Sequence, residues 1–532
     1  MTRIAFIFIT SLLIIKVTAQ EHLPVDYLSN KFHEGRRDAL RKLMPENSVV
    51  AIFAYPERVF SRDVNYVYHA NPDLYYFSGY KEPDALLLIF KENQQRGDTT
   101  YNELFFIRKR NPLQEQWTGR RLGVEGVKNQ LGFKQVYNGD EFKSLGIDLA
   151  KFSKVLYDVF PDDVPPGNLF SLMKTFRDKA NIRQVENRNV TESLSMISNY
   201  VTPSNVIRFA NRLKNTMAET DDDEYKANPI LLELINQPDS ATLASVIKKI
   251  KSNPSPTDEY DRLISSLREI KTTEELALLR KSVFLSAIAH EEVMKAIEPG
   301  MSETELSGLF EYVHKKYGAE GEGYPPIVGA GANACILHYE ENNATRVGNQ
   351  LVLMDVASEY HGYSADVTRT VPANGKFTKE QKAIYELVYD AQEEVFKLCK
   401  EGTPFGELNE RATQVLADGL LKLGIIKDKK EVTRYYMHGC SHHMGLDVHD
   451  KNITPVLKEN MVITVEPGVY IQKGSPCDPK WWDIGVRIED DVVIGKNKFE
   501  NLSAAAPRKA LDVEKALAKK SVFNQLALPK LK

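Results

Sequence analysis

At 532 residues the chain is too long for one ordinary core, so two or more domains are expected. Its hydrophobic fraction of 42% and charged fraction of 27% describe a soluble globular protein. A net charge of -4, with no basic stretch interleaved with aromatics, argues against a nucleic-acid partner.

The first residues read as a targeting segment. Arg3 supplies a positive start, Ile4 to Ile15 is almost wholly apolar, and Val17-Thr18-Ala19 puts small residues at the −3 and −1 positions. Residues 1–19 are therefore expected to be a signal peptide cut before Gln20, leaving an exported chain, periplasmic or secreted, with no membrane partner. The apolar stretch is too short for a comfortable membrane span. No Cys follows the cleavage point to carry a lipid anchor. Cys335, Cys399, Cys440 and Cys477 form no CxxC pair, and all four are expected to be free.

Residues 20–165 read as a small α/β domain. His33 to Leu43 is amphipathic, and Ser48 to Phe53, Ala85 to Phe90 and Glu103 to Ile107 are β-rich. Pro165-Pro166-Gly167 closes that region. Residues 166–265 read as a mostly helical connector, broken at Asn253-Pro254-Ser255-Pro256. A third region, 266–507, opens on the capping box Thr272 to Glu275, followed by an apolar helix through Ala296. Ser302 to Glu305 caps the next helix. Strands follow at Gln350 to Val356 and Tyr363 to Val371. Helices at Thr378 to Lys400 and Leu408 to Leu423 precede further strands at Met461 to Val465 and Ile484 to Ile494. A helix pair followed by strands thus occurs twice, which fits a duplicated α/β unit. A helical tail, 508–532, ends the chain. The class is α/β (α+β).

The chemistry lies in the third region. Four carboxylates, Asp355, Asp366, Glu466 and Glu489, with His442, can balance two dications. Oxygen-rich ligation with one imidazole favours manganese, cobalt, zinc or iron over soft copper. A lone Asp at a strand end is commonly a turn former. Here alternation puts Asp366, Thr368 and Thr370 on one face, and a hairpin can bring Asp355 beside them. Residues 438–449 hold four of the chain's eleven histidines, and Gly439 and Gly445 mark a loop rather than a helical metal pair. Ile484, Val486 and Ile488 share one face of a strand; Arg487 and Glu489 share the other. Charged side chains pointing inward there are costly unless they pair or coordinate metal. Gly329 to Ala334 lacks the third glycine of a dinucleotide turn and reads as a loop that delivers His338.

Together these blocks resemble the pita-bread metallopeptidases, and within them the Xaa-Pro aminopeptidase (aminopeptidase P) branch. The carrying stretches are GAGANACILHY (329–339), LVLMDVASEYHGYSADVTRTVPANGKFTKEQ (351–381), HGCSHHMGLDVHD (438–450), VITVEPGVYI (462–471) and DIGVRIEDD (483–491). SRDVNYVYHANPDLYYFSGYKEPDALLLIF (61–90) is similar to that branch's N-terminal domain.

The resemblance implies a pita-bread catalytic domain behind a smaller α/β domain. It implies two divalent metal ions per subunit, manganese first, with cobalt or zinc as alternatives. Asp355 is then the ligand of one ion, Asp366 and Glu489 bridge both, and His442 and Glu466 hold the other. Glu466 acts as general base and acid. His338 and His449 meet the substrate backbone and scissile carbonyl, His438 walls the proline pocket, and Arg487 anchors the ligands from behind. The implied substrates are peptides with N-terminal Xaa-Pro, and the implied assembly is a homo-oligomer, dimer or tetramer. Competing readings are a prolidase acting on Xaa-Pro dipeptides, an inactive peptide-binding scaffold and a metal-free creatinase-type hydrolase. The N-terminal domain and the block from His442 to Asp450 favour the aminopeptidase. Two departures stand out: Ala357 replaces a frequent glycine, and Lys473 to Trp482, with its paired tryptophans, is atypical and is assigned to the substrate rim.

Overall fold

The computed structural model describes residues 25–526 and 528, apart from 162, 184, 185, 204 and 253, and without the side chains of 199 and 200. The targeting segment read in residues 1–19, and residues 529–532 of the tail, lie outside the described residues.

Helix α1 (Asn30–Leu43) starts at Ser29, whose hydroxyl accepts from the Phe32 amide. It packs on a five-stranded sheet of β1 (Ser48–Phe53), β2 (Leu86–Arg96), β3 (Thr99–Ile107), β4 (Val136–Asn138) and β5 (Lys154–Tyr157), in the order β4-β3-β2-β1-β5. β1 runs antiparallel to β2 and parallel to β5. The central strands are covered on both faces, so they read as unbroken apolar runs. β2 continues past Phe90 into a polar hairpin with β3, and β4 and β5 are short edge strands; apolar patterning reveals none of these.

Helices fill the stretch from Asn168 to Arg268. Four of them, α2 (Arg188–Tyr200), α3 (Val206–Glu219), α4 (Pro229–Asn236) and α5 (Ser240–Ser252), close around a core of their own that includes Ile197, Val206, Leu213, Leu231 and Val246. This stretch is a packed helical unit rather than an open tether. α6 (Pro256–Arg268) instead sends Tyr260, Leu263 and Ile264 into the core beneath α1.

The C-terminal half repeats one plan. α7 (Thr273–Ala296) and α8 (Glu303–Lys316) form a first helix pair; α9 (Lys379–Phe396) and α10 (Phe405–Lys422) form a second. Thr272 and Glu275 make a reciprocal cap. Ser302 caps α8 one way only, accepting from the Glu305 amide. β6 (Ile327–Ala330), β7 (Leu351–Asp355) and β8 (Thr368–Pro372) follow the first pair. β9 (Val462–Val465), β10 (Gly468–Ile471), β11 (Ile484–Arg487) and β12 (Asp490–Ile494) follow the second. β7 lies between β6 and β8, both antiparallel. β9 pairs with β12, and β10 with β11. Val293, Phe310, Met354, Val388, Leu416 and Val486 belong to the one core that unites helices and strands. α11 (Ala510–Leu517) adds Val513 and Ala516 to it.

Two strands expected to be continuous are broken. The run 363–371 is interrupted at 365–367, and the run 484–494 at Ile488 and Glu489. Alternation of residue type continues through both interruptions, so pattern alone cannot show them. Asp366 and Glu489 sit in these gaps, Glu466 sits in the gap between β9 and β10, and Asp355 ends β7. Each carboxylate stands where the ladder of backbone hydrogen bonds stops.

Candidate metal centre

Those four carboxylates and His442 line one cavity of about 410 Å³, with His338, His438, His449 and Arg487. The nine residues expected to bind metal, bind substrate or act in catalysis are therefore brought to one place. Strand pairing does this. Asp355 lies opposite Thr368 across β7 and β8. The Glu489 amide donates to the Thr368 carbonyl at 3.1 Å, and the Thr368 hydroxyl donates to Glu489 Oε2 at 2.6 Å. These two bonds join the halves of the domain at the carboxylates.

The imidazole of His442 has its state set by the backbone. Its Nδ1 faces the His443 carbonyl at 3.0 Å, and a carbonyl only accepts, so Nδ1 carries the hydrogen. Nε2 is thereby the nitrogen turned to the carboxylates, 3.3 Å from Asp366 Oδ2 and 3.7 Å from Glu466 Oε1. The ligating atoms of Asp366, His442 and Glu489 all lie within 4.8 Å of one another.

The charge count agrees. Burial, then the charge of Asp355, holds the Asp366 carboxyl well above the usual range; burial, then Asp366, does the same to Glu489. Burial, then Glu489, raises Glu466. Four carboxylates face one guanidinium, that of Arg487. A buried excess of anions is unfavourable until cations offset it. The donor set, carboxylate oxygens with one imidazole, fits divalent metal.

Arg487 is held by three partners: Nη2 donates to Asp355 Oδ2 at 2.6 Å, Nη1 to the Tyr470 hydroxyl at 2.9 Å and Nε to the Thr368 hydroxyl at 3.2 Å. Its ion pair is with Asp355, across the domain, and not with its strand neighbour Glu489. His438 uses both nitrogens. Nδ1 donates to the Gly439 carbonyl at 2.7 Å, and Nε2 accepts from Tyr470 at 2.8 Å. Burial, then the charge of Arg487, pulls its pKa down to about 3, so it is a neutral, fixed wall. His338 and His449 are exposed to the cavity, and the His449 ring stacks on His442 with centroids 4.0 Å apart.

Several contributors escaped the sequence reading. The Tyr324 hydroxyl lies 2.5 Å from Asp355 and 2.7 Å from Asp366 and can donate to either. Asp491 accepts from the Asp366 amide at 2.9 Å. Buried Glu303 accepts from the Ala330 and Ala344 amides, Asn333 and Tyr339, and so shapes the loop that carries His338. A Cβ on Gly485 would lie 2.1 Å from the Ala334 carbonyl oxygen, so only glycine lets β11 pass this loop. Asp491 was visible inside its motif, but a lone Tyr or Glu outside any pattern gives no signal.

The tryptophans correct an expectation. Trp481 is buried in the core, Trp482 packs against it and donates to the Ser475 carbonyl at 3.0 Å, and neither lines the cavity. Burial of two large rings outweighs a place at the rim. Ala357 is buried with a negative φ, so its Cβ is tolerated.

Comparison with known proteins places the architecture. The profile of Metallopeptidase family M24 matches residues 277–496, and that of the aminopeptidase P N-terminal domain matches residues 33–157. The Xaa-Pro aminopeptidase of Escherichia coli is 31% identical over 504 residues, spanning 92% of this chain and 97% of that one. The structure of E. coli aminopeptidase P with the inhibitor Pro-Leu superposes with a TM-score of 0.71 at 30% identity, covering 92% of this chain and 98% of that one. Zn-substituted E. coli aminopeptidase P in complex with product gives 0.70 at 28% identity, with the same coverage. The fold is thus the pita-bread domain of aminopeptidase P behind its N-terminal domain, and the chain belongs to metallopeptidase family M24.

Proposed function

We propose that this protein is an Xaa-Pro aminopeptidase, releasing the first residue of peptides whose second residue is proline. The observation that carries the reading is the meeting of the anionic ligand cluster with His338, His438 and His449 in one cavity. Similarity to an Xaa-Pro aminopeptidase over 92% of the chain supports it.

Asp355 would hold one ion, His442 and Glu466 the other, and Asp366 and Glu489 both. Two divalent ions there would supply Lewis acidity and a water acidified toward neutral pH. One related structure is zinc-substituted. The donor set suits manganese, our reading of the resident metal, and cobalt equally well. Glu466 takes the proton released as the carbonyl is attacked and returns it to the leaving prolyl nitrogen. His338 and His449, exposed to the cavity, donate to the developing oxyanion. A prolyl nitrogen has no N–H, so recognition needs no acceptor for one. The fixed face of His438 offers a wall for the ring instead. The same reading includes export after cleavage before Gln20, checked by N-terminal sequencing, and assembly as a dimer or tetramer, checked by sedimentation.

The test is metal-stripped protein assayed on Ala-Pro-Ala and on Ala-Pro, with manganese, cobalt or zinc restored. Alanine release from the tripeptide, dependent on metal, is expected. Cleavage of the dipeptide alone would make the protein a prolidase. No cleavage and no bound metal would make it a peptide-binding scaffold.

A further inference from the structure

A second cleft opens beyond His438. Its volume is about 860 Å³, and His438 and Gly439 line both it and the metal-site cavity. One wall is α3, with Arg208 and Arg212 one helical turn apart. The other is α10 and the turn Lys429–Arg434, with Lys429 and Lys430. α3 falls in residues 158–276, outside both family profiles, so this wall comes from the helical unit rather than from the matched domains.

The cleft is cationic. Four basic residues line it against one carboxylate, Glu410. Lys429 pairs with Asp418. Among the described residues, no carboxylate pairs with Arg208, Arg212 or Lys430. Unpaired like charges around a concave surface repel one another and focus a positive field into it. An anion lying there would relieve both effects.

We infer that this cleft is the subsite for the part of the peptide beyond proline, and that it selects peptides carrying a carboxylate there. The inference rests on the aminopeptidase reading: with the proline ring against His438, the cleft is the continuation of the path that the rest of the peptide follows. The carboxylate has two possible sources, the free C-terminus of a short peptide or an Asp or Glu side chain in a longer one. Neither source needs contacts beyond ordinary ion pairs with exposed arginine and lysine, so the preference should be moderate and sensitive to salt.

Three peptides test it with the full metal-loaded protein: Ala-Pro-Ala-Ala amide as the neutral reference, the same peptide with a free C-terminus, and Ala-Pro-Glu-Ala amide. At least one anionic peptide should show a kcat/KM about fivefold above the reference, through a lower KM. A rise for the free acid alone assigns the cleft to short peptides; a rise for the glutamate peptide assigns it to acidic sequences. The advantage should shrink toward unity in roughly 0.5 M salt. The double variant R208E/R212E, with both changes on exposed positions, should bring the ratio to one or below. Equal kcat/KM for all three peptides, or a ratio untouched by the double reversal, would overturn the inference alone. Cleavage of none of the three would overturn the aminopeptidase reading and this inference with it.

Discussion

Two buried clusters of charge, one around Arg268 and one at the cavity, differ in how they are balanced. Around Arg268, whose side chain is 1% exposed, Nη1 donates to Asp73 at 2.7 Å and Nη2 to Asp447 at 2.6 Å, with Asp450 beside them. Lys271 donates to Asp450 at 2.8 Å, and Lys451 approaches Asp73 at 3.6 Å. Burial pushes the Asp73 carboxyl upward, but Lys451 and Arg268 overcome it and hold the pKa below the ordinary value. Arg268 and Lys271 do the same for Asp450, while burial holds Asp447, at the edge of the cluster, above its ordinary value. At the cavity none of Asp366, Glu466 and Glu489 is lowered in this way: all three are raised. A buried cluster complete in itself joins domains, here the N-terminal domain, α6 and the histidine-rich block. A buried cluster short of cations is prepared for something that arrives later.

The largest effect should come from the incomplete cluster. Glu466→Ala and His442→Ala should each lower Xaa-Pro hydrolysis by about a thousandfold, with an unchanged far-ultraviolet dichroism spectrum. Near-native turnover by either would break the distinction drawn above. The complete cluster should answer in stability instead. Arg268→Met removes the cation shared by Asp73, Asp447 and Asp450 and should cost roughly 3–5 kcal/mol in denaturant unfolding. Glu489→Gln should do the reverse in metal-free protein, adding about 1 kcal/mol by removing one of several like charges. It should also abolish the rise in Tm expected when manganese is added to the native chain, read by calorimetry with and without the ion.

Arg487→Lys is a finer probe. An ammonium cannot reach Asp355, Tyr470 and Thr368 at once, so kcat/KM should fall roughly 10- to 100-fold while metal content stays measurable. The smallest effect is a pH limb. Asp73 and Asp450 have folded pKa values below the ordinary 3.8, so the unfolded chain binds more protons as pH falls through that region. Their stabilisation is complete above pH 3.8 and is lost below it. Asp73→Asn should flatten that limb in acid unfolding curves; an unchanged limb would mean other carboxylates dominate it.

The carboxylates were legible as a set: Asp355 and Glu466 end apolar runs, Asp366 and Glu489 lie in alternating strands, and together they outweigh the turn-former reading that each alone would receive. The helix pairs were legible from capping residues such as Thr272 and Ser302 and from their periodicity. The strand interruptions at 365–367 and at Ile488 were not, since the alternation of residue types runs through them. Nor was the Arg268 cluster. Its partners lie 195, 179 and 182 residues away, and no local pattern encodes a contact at that range. Tyr324 and Glu303 are single polar residues whose importance comes only from what the fold sets beside them.

The bond from Arg487 to Asp355 joins residues 132 positions apart, and the bond from Thr368 to Glu489 joins residues 121 apart. Loop closure over such distances comes late in folding. The centre therefore cannot exist, even crudely, until both repeats have formed and docked. A refolding chain will ignore metal through its early phases and capture it in the last. Manganese added at successive times during refolding would act as a clock for that final docking step.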